Sequence, residues 1–250
     1  MRGTNFAALV GACFFATSAT AQVTFSDNFD AGASPLWGNE SGSWIVADGR
    51  YSAELPSNWP NAYSSLPFVL ANCAIDVDIA AVNDGGIWLR SAPAPGTPIG
   101  VTGVLLVTGA NGFSFYWHIV PDGSSYGSSY EIVWGLFPPG SDIHVRVEVV
   151  GDAYSVYLNG ETTPASTLTT SQFPVGRVGL YDYSGQSFDN VVVTGFEPCA
   201  GDLDRDGLVG PADLAILLGG WGEAGATDLD QSGSTDASDL ALLLGAWGSC

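Results

Sequence analysis

The chain has 250 residues, of which 46% are hydrophobic, 12% aromatic and only 13% charged, enough for one substantial core and a small appendage. Six arginines and no lysine stand against 26 acidic residues, a formal charge of -20, so the cationic footprint that nucleic acids and anionic membranes require is missing. The aromatic content argues against an acidic disordered chain, and the charge points toward divalent cations or a saline exterior.

In chain order, Met1-Arg2 precedes an apolar run from Phe6 to Phe15 and small residues ending in Ala19-Thr20-Ala21. This is the pattern of a cleaved secretory signal over residues 1–21, with Gln22 as the mature N-terminus. The run is too short to span a bilayer, and no later segment reaches ~20 uninterrupted apolar residues. The expectation is a secreted or cell-surface protein without membrane insertion. In that oxidising compartment Cys199 and Cys250, which bracket the acidic C-terminal segment, are the natural disulfide pair. Cys73 is expected to be a buried free thiol.

From Val23 to Phe196 the apolar pattern has a period of two, broken by Gly, Pro, Asn and Ser. Cys73, Ile75, Val77 and Ile79 fall on one face of a strand, with Asp76 and Asp78 on the other. Ile143, Val145, Val147 and Val149 likewise alternate with His144, Arg146 and Glu148, and Asn159-Gly160 signals a tight turn. Roughly a dozen such strands with no helical period between them predict an antiparallel sandwich over residues 22–198. The stretches FSDNFD with Trp37, GSWIVADGRY, GGIWLR, HVRVEVVGDAYSVYLNG and VGRVGLYDYSGQSFDNVVV together resemble the concanavalin A-like, laminin G-like jelly roll. That resemblance implies a fold shared by lectins, adhesion modules and glycoside hydrolases.

Catalysis finds little support in the sandwich. A retaining glycosidase needs two carboxyl groups about 5 Å apart, and the Glu-x-Asp-x-x-Glu strand that the resemblance to jelly-roll glucanases would imply is missing. Asp76 and Asp78 belong to a solvated strand face, and the two histidines, His118 and His144, have no Ser or Cys motif beside them. No catalytic residue is assigned. Sugar binding is better supported: Trp88 and Arg90 share a face of GGIWLRS, and Tyr116 and His118 share a face of GFSFYWHIV, where rings and a guanidinium could stack on a pyranose and bond its hydroxyls. The competing reading places these aromatics in a second layer of core. Trp59, Tyr130 and Trp134 are weaker candidates.

After Pro198 the alternation stops, and GDLDRDGLVGPADLAILLGGWG is repeated 26 residues later as TDLDQSGSTDASDLALLLGAWG, an internal duplication. Asp202, Asp204, Asp206, Gly207 and Asp213 occupy positions 1, 3, 5, 6 and 12 of a calcium loop, with the Leu208 carbonyl at position 7. In the second copy Asp228, Asp230, Ser232, Ser234, Asp236 and Asp239 take positions 1, 3, 5, 7, 9 and 12. Carboxylates converging in this way repel one another unless a cation sits between them. Each loop runs into a short helix whose stripe, Leu214, Leu217, Leu218 and Trp221 or Leu240, Leu243, Leu244 and Trp247, predicts a mutual core. Ile216 and Leu242 lie on the opposite face.

This duplicated loop-helix unit over residues 199–250, with Asp at position 12, resembles a type I dockerin, an EF-hand-like module. The resemblance implies calcium as cofactor and a protein partner that ties a polysaccharide-active protein to a scaffold. Cohesin-binding dockerins carry hydroxyl residues at loop positions 10 and 11 and basic residues in mid-helix. Here Pro211-Ala212, Ala237-Ser238, Leu218-Gly219 and Leu244-Gly245 stand in those places, so the partner's identity does not carry over. The reading as a whole is a secreted, calcium-binding, mainly β protein with a glycan-recognition or adhesion sandwich and a docking module. A glycoside hydrolase and a structural cell-surface protein are the alternatives.

Overall fold

The structure is a computed structural model and describes residues 22–196, 199–204 and 208–249; the leader expected over residues 1–21, the expected loop ligand Asp206 and Cys250 lie outside them. The sandwich is built from β1 (Gln22–Asp27), β2 (Trp44–Ala47), β3 (Arg50–Ala53), β4 (Tyr63–Ser65), β5 (Cys73–Ala80), β6 (Gly85–Pro93), β7 (Val101–Thr108), β8 (Phe113–Val120), β9 (Tyr130–Trp134), β10 (Ile143–Val150), β11 (Ala153–Leu158), β12 (Ser166–Thr169), β13 (Arg177–Asp182) and β14 (Ser187–Phe196). One sheet runs β12-β11-β10-β5-β14-β3-β2, with β1 also paired to β14, and the second runs β4-β13-β6-β7-β8-β9. All the pairings are antiparallel.

Period-two patterning decides which face each strand buries. On β5 and β10 the alternate residues Ile75, Val77, Val145 and Val147 are fully buried, while the intervening side chains pair across the outer face. There Arg146 lies opposite Asp76, and His144 opposite Asp78, in register. His144 Nδ1 sits 2.8 Å from Asp78 Oδ1, and the Asn190 amide donates to the other oxygen of Asp78. The Asp76 and Asp78 pair is thus a cross-strand ladder on a wet sheet face. Cys73 is buried and is the free cysteine among the described residues, its thiol pushed up to about 12 by burial.

The six-stranded sheet is apolar on both faces. Ile87, Leu89, Phe115 and Trp117 point into the core between the sheets. Trp88, Leu105, Val107, Tyr116 and Tyr181 form a second core on the other side, with Tyr63, Ile99 and Val101. Three connections close over it: Asn61 N donates to Ile99 O, Ile99 N donates to Gly123 O, and the Tyr126 hydroxyl donates to Asn58 O.

The C-terminal segment holds α1 (Pro211–Gly219), α2 (Ala237–Gly245) and the short strands β15 (Leu208–Val209) and β16 (Gly248–Ser249). Its pairing is reciprocal. Val209, in the first loop, pairs with Gly248 after α2, while Thr235, at the same place in the second loop, bonds Gly222 and Glu223 after α1. Leu217 and Leu243 are fully buried, but Leu218, Trp221, Leu244 and Trp247 are about half exposed. The expected four-residue stripe therefore shrinks to two buried leucines with Leu214 and Leu240 beside them. The helices are too short for more: α1 is capped at Gly220, so Trp221 lies beyond the last helical turn and does not follow the i+7 projection. Each loop is followed by a helix, and among the described residues no helix runs directly into either loop: α1 ends at Gly219, ahead of Asp228.

Candidate functional site

The residues proposed for sugar contact divide into two groups. Trp88 is 0% exposed and Arg90 1%, and they do not share a face. The pairing of β6 with β7 shifts register between Leu89 and Ala92, and Arg90 takes a left-handed φ of 46°. Such a bulge reverses the side-chain alternation. Trp88 stays on the outer side, its indole N-H donating to Asn61 Oδ1 at 3.1 Å. Arg90 turns the other way and donates to Ala71 O, Gly151 O and Phe173 O at 2.6–3.0 Å, its guanidinium 5.4 Å over the Tyr154 ring. Both are structural, a tryptophan of the second core and a clamp on three connections, and neither is a platform for ligand.

Tyr116 and His118 do share a face, and they line a small open pocket of about 90 Å³ with Asn58, Asp84, Tyr126 and Tyr181. Its groups come from the β3–β4, β5–β6 and β8–β9 connections and from β8 and β13, so no local sequence pattern contains them. The Tyr181 hydroxyl donates to Asn58 Oδ1 at 3.1 Å and lies 3.5 Å from Asp84 Oδ1. Burial raises the Asp84 carboxyl to about 6, and the nearby Asp182 adds to the rise. Asp182 is itself lifted to about 6 by burial while accepting from Ser184 N and Gly185 N. Burial also pushes Tyr116 up to about 12 and raises Tyr126 and Tyr181, so all three stay hydroxyls. His118 is pulled down by burial and is neutral at pH 7; its Nδ1 donates to Ser128 O at 3.0 Å. The pocket therefore offers one carboxyl, an amide oxygen and phenolic hydroxyls at the foot of aromatic walls, the donor and acceptor set that a polyhydroxylated ligand uses.

The acidic loops form a second candidate site. Carboxylate oxygens of Asp202, Asp204 and Asp213 lie within 4.8 Å of one another, and so do those of Asp228, Asp230 and Asp239. Asp213 is buried at the start of α1, with Oδ1 accepting from Leu203 N and Asp204 N and Oδ2 from Gly210 N. Asp239 repeats this at α2 with Leu229 N, Asp230 N and Asp236 N. These backbone bonds, that of Asp236 foremost, hold the Asp239 carboxyl below the usual carboxylate range. Three convergent carboxylates per loop fit a hard, oxygen-seeking cation. The other expected ligands make bonds within their own segments. Asp236 Oδ1 caps α2 by accepting from Ser238 N. The Ser232 hydroxyl donates to Ser234 O at 3.3 Å, so these two engage each other. Leu208 keeps its place in β15.

No family model and no curated protein matches the chain. Among solved structures, carbohydrate binding module CBM66 from Bacillus subtilis superposes with a TM-score of 0.50 at 17% identity, over 62% of this chain and 93% of that one. A β-glucanase of Bacillus licheniformis gives 0.48 at 13%, over 70% and 98%. The κ-carrageenase of Pseudoalteromonas carrageenovora, in complex with an oligosaccharide of κ-carrageenan, gives 0.46 at 11%, over 72% and 97%. At these identities the likeness concerns the fold: a mainly β, concanavalin-like jelly-roll sandwich.

Proposed function

We propose that the chain is a secreted glycan-recognition protein in which residues 22–198 bind carbohydrate at the Asp84 pocket. Residues 199–250 form a calcium-dependent, dockerin-like module that attaches the sandwich to a protein partner. The observation that carries the glycan reading is the clustering of Asp84, Asn58, Tyr116, Tyr126 and Tyr181 around one opening on the outer side of the six-stranded sheet. The docking reading is supported by the duplicated acidic loops and by the half-exposed Ile216 and Leu218 on α1, Leu242 and Leu244 on α2, and Trp221 and Trp247 just after each helix, apolar surface of the kind that marks protein contact. A Cys199–Cys250 disulfide would close the module beside the β15–β16 pair. When bound, calcium would neutralise the carboxylates of Asp202, Asp204 and Asp213 and of Asp228, Asp230 and Asp239 and hold each loop against its helix.

A hydrolase reading has one point in its favour: a carboxyl raised to about 6 sits in the range of a general acid. Asp84 is nonetheless the one carboxyl among the residues lining the pocket, whereas glycoside hydrolysis uses two. A glycan array run in parallel with reducing-sugar release on the full chain separates the readings. Retention without release supports recognition, release establishes hydrolysis, and neither supports a structural role. Chelation followed by circular dichroism tests the calcium, and helical signal that survives excess chelator refutes a metal-dependent module.

A further inference from the structure

The Asp84 pocket, at about 90 Å³, is well below the ~300–1,000 Å³ of ordinary ligand sites, so a glycan seated there must find most of its contact area nearby. Asn58 on the pocket wall is followed by Trp59, which is 53% exposed and meets the Tyr126 ring edge to face at 5.5 Å. Asn61 donates to the Tyr126 hydroxyl at 2.7 Å. Trp59 and Asn61 also line an open groove of about 830 Å³ together with Pro60, Pro93, Pro95, Pro98 and Glu40. Trp59 and Asn61 of the groove are thus in direct contact with Tyr126 of the pocket.

We infer that the ligand is a neutral oligosaccharide chain that stacks on Trp59 along this groove and places the hydroxyls of one unit in the Asp84 pocket. The inference rests on the glycan reading of that pocket. An exposed indole presents a flat apolar face to the C–H face of a pyranose, and proline rings shape a groove that loses little freedom on binding. Charge selects the class. None of the groove's lining residues is cationic, Glu40 is already engaged by Ser65 N and Arg177, and the chain carries a formal charge of -20, so uronates and sulfated sugars are repelled.

The test is calorimetry on the full chain in calcium, with neutral gluco-, manno-, galacto- and fructo-oligosaccharides as disaccharide and hexasaccharide. Polygalacturonate and a proline-rich peptide serve as competing occupants. The hexasaccharide should bind more tightly than the disaccharide, and Trp59→Ala should lower its affinity about tenfold, toward the disaccharide value. Trp59→Tyr should recover most of the loss. Ligand-induced fluorescence change, compared between the native chain and Trp59→Tyr, reads the same contact if Trp59→Ala disturbs folding. Unchanged hexasaccharide affinity in Trp59→Ala, or tightest binding to polygalacturonate or the peptide, overturns the inference. If Asp84→Asn loses binding while Trp59→Ala does not, the pocket stands and its extension fails; no binding to any neutral oligosaccharide removes both.

Discussion

Replacing Arg90 by methionine tests the reassignment of this residue from ligand contact to structural clamp. The substitution keeps an unbranched stem but removes every guanidinium bond, leaving the carbonyls of Ala71, Gly151 and Phe173 without the donors they now have at 2.6–3.0 Å. Each buried acceptor left unpaired costs about 1–3 kcal/mol. Relief of the guanidinium's own desolvation and entry of water offset part of the sum, so the net destabilisation should be about 3–5 kcal/mol. With a urea dependence of about 2 kcal/mol per molar, the midpoint should fall by about 2 M. Arg90→Lys keeps the charge but cannot span three carbonyls with one ammonium, and should lose a comparable amount. Urea unfolding followed by tryptophan fluorescence measures both variants. An unchanged midpoint in Arg90→Met would mean that the three connections hold without the clamp, and an unchanged midpoint with lost glycan binding would return Arg90 to the ligand site.

Three further outcomes follow from the geometry. Because the folded state raises the Asp84 carboxyl to about 6 from 3.8, it favours the protonated form: the stabilisation is full below pH 4 and is lost as pH rises toward 6. Discounted for the carboxyl's partial exposure, this is about 1 kcal/mol. Asp84→Asn should reduce the difference between urea midpoints at pH 4 and pH 7, the remainder coming from Asp182, which burial also raises to about 6; an identical pH dependence would refute the account. In calcium, Leu217→Ala should destabilise the C-terminal segment by about 2–5 kcal/mol, and Leu218→Ala by no more than about 0.5 kcal/mol. Thermal melts showing the reverse order would reinstate the full helical stripe. Asp239→Ala should abolish calcium binding in the second loop. Asp236→Ala should leave its affinity nearly intact and cost about 1 kcal/mol of helix capping, and calorimetry showing equal losses would return Asp236 to the ligand set.

Alternation along β5 and β10 was enough to assign every inward residue of those strands, because both are packed on one side and wet on the other. The same logic failed on β6, where both faces are buried and a left-handed residue at Arg90 reverses the phase; neither property leaves a mark in GGIWLRS. Tyr116 and His118 could be grouped from β8 alone. Asp84, Asn58, Tyr126 and Tyr181 could not, since they meet only through the closing of three connections over the sheet. In the C-terminal duplication Asp213 and Asp239 stand out by spacing. The capping role of Asp236 could be read only once the start of α2 was known, a signal that the Ala237-Ser238-Asp239 run contained and that the calcium-loop pattern masked.

One pairing bears on how the sandwich responds to force. β1 opens with Gln22 directly opposite Phe196 at the far end of β14, and six consecutive residue pairs join the two strands. The sandwich is therefore entered and left at one corner, with its ends about one strand spacing, ~5 Å, apart. Tension applied between those ends would load the pairs in sequence, as a zipper is opened, rather than all together in shear. A molecule of this shape held by both ends would yield first along β1, at low force. Held by one end, with its load on the opposite sheet, it would keep the strand in place.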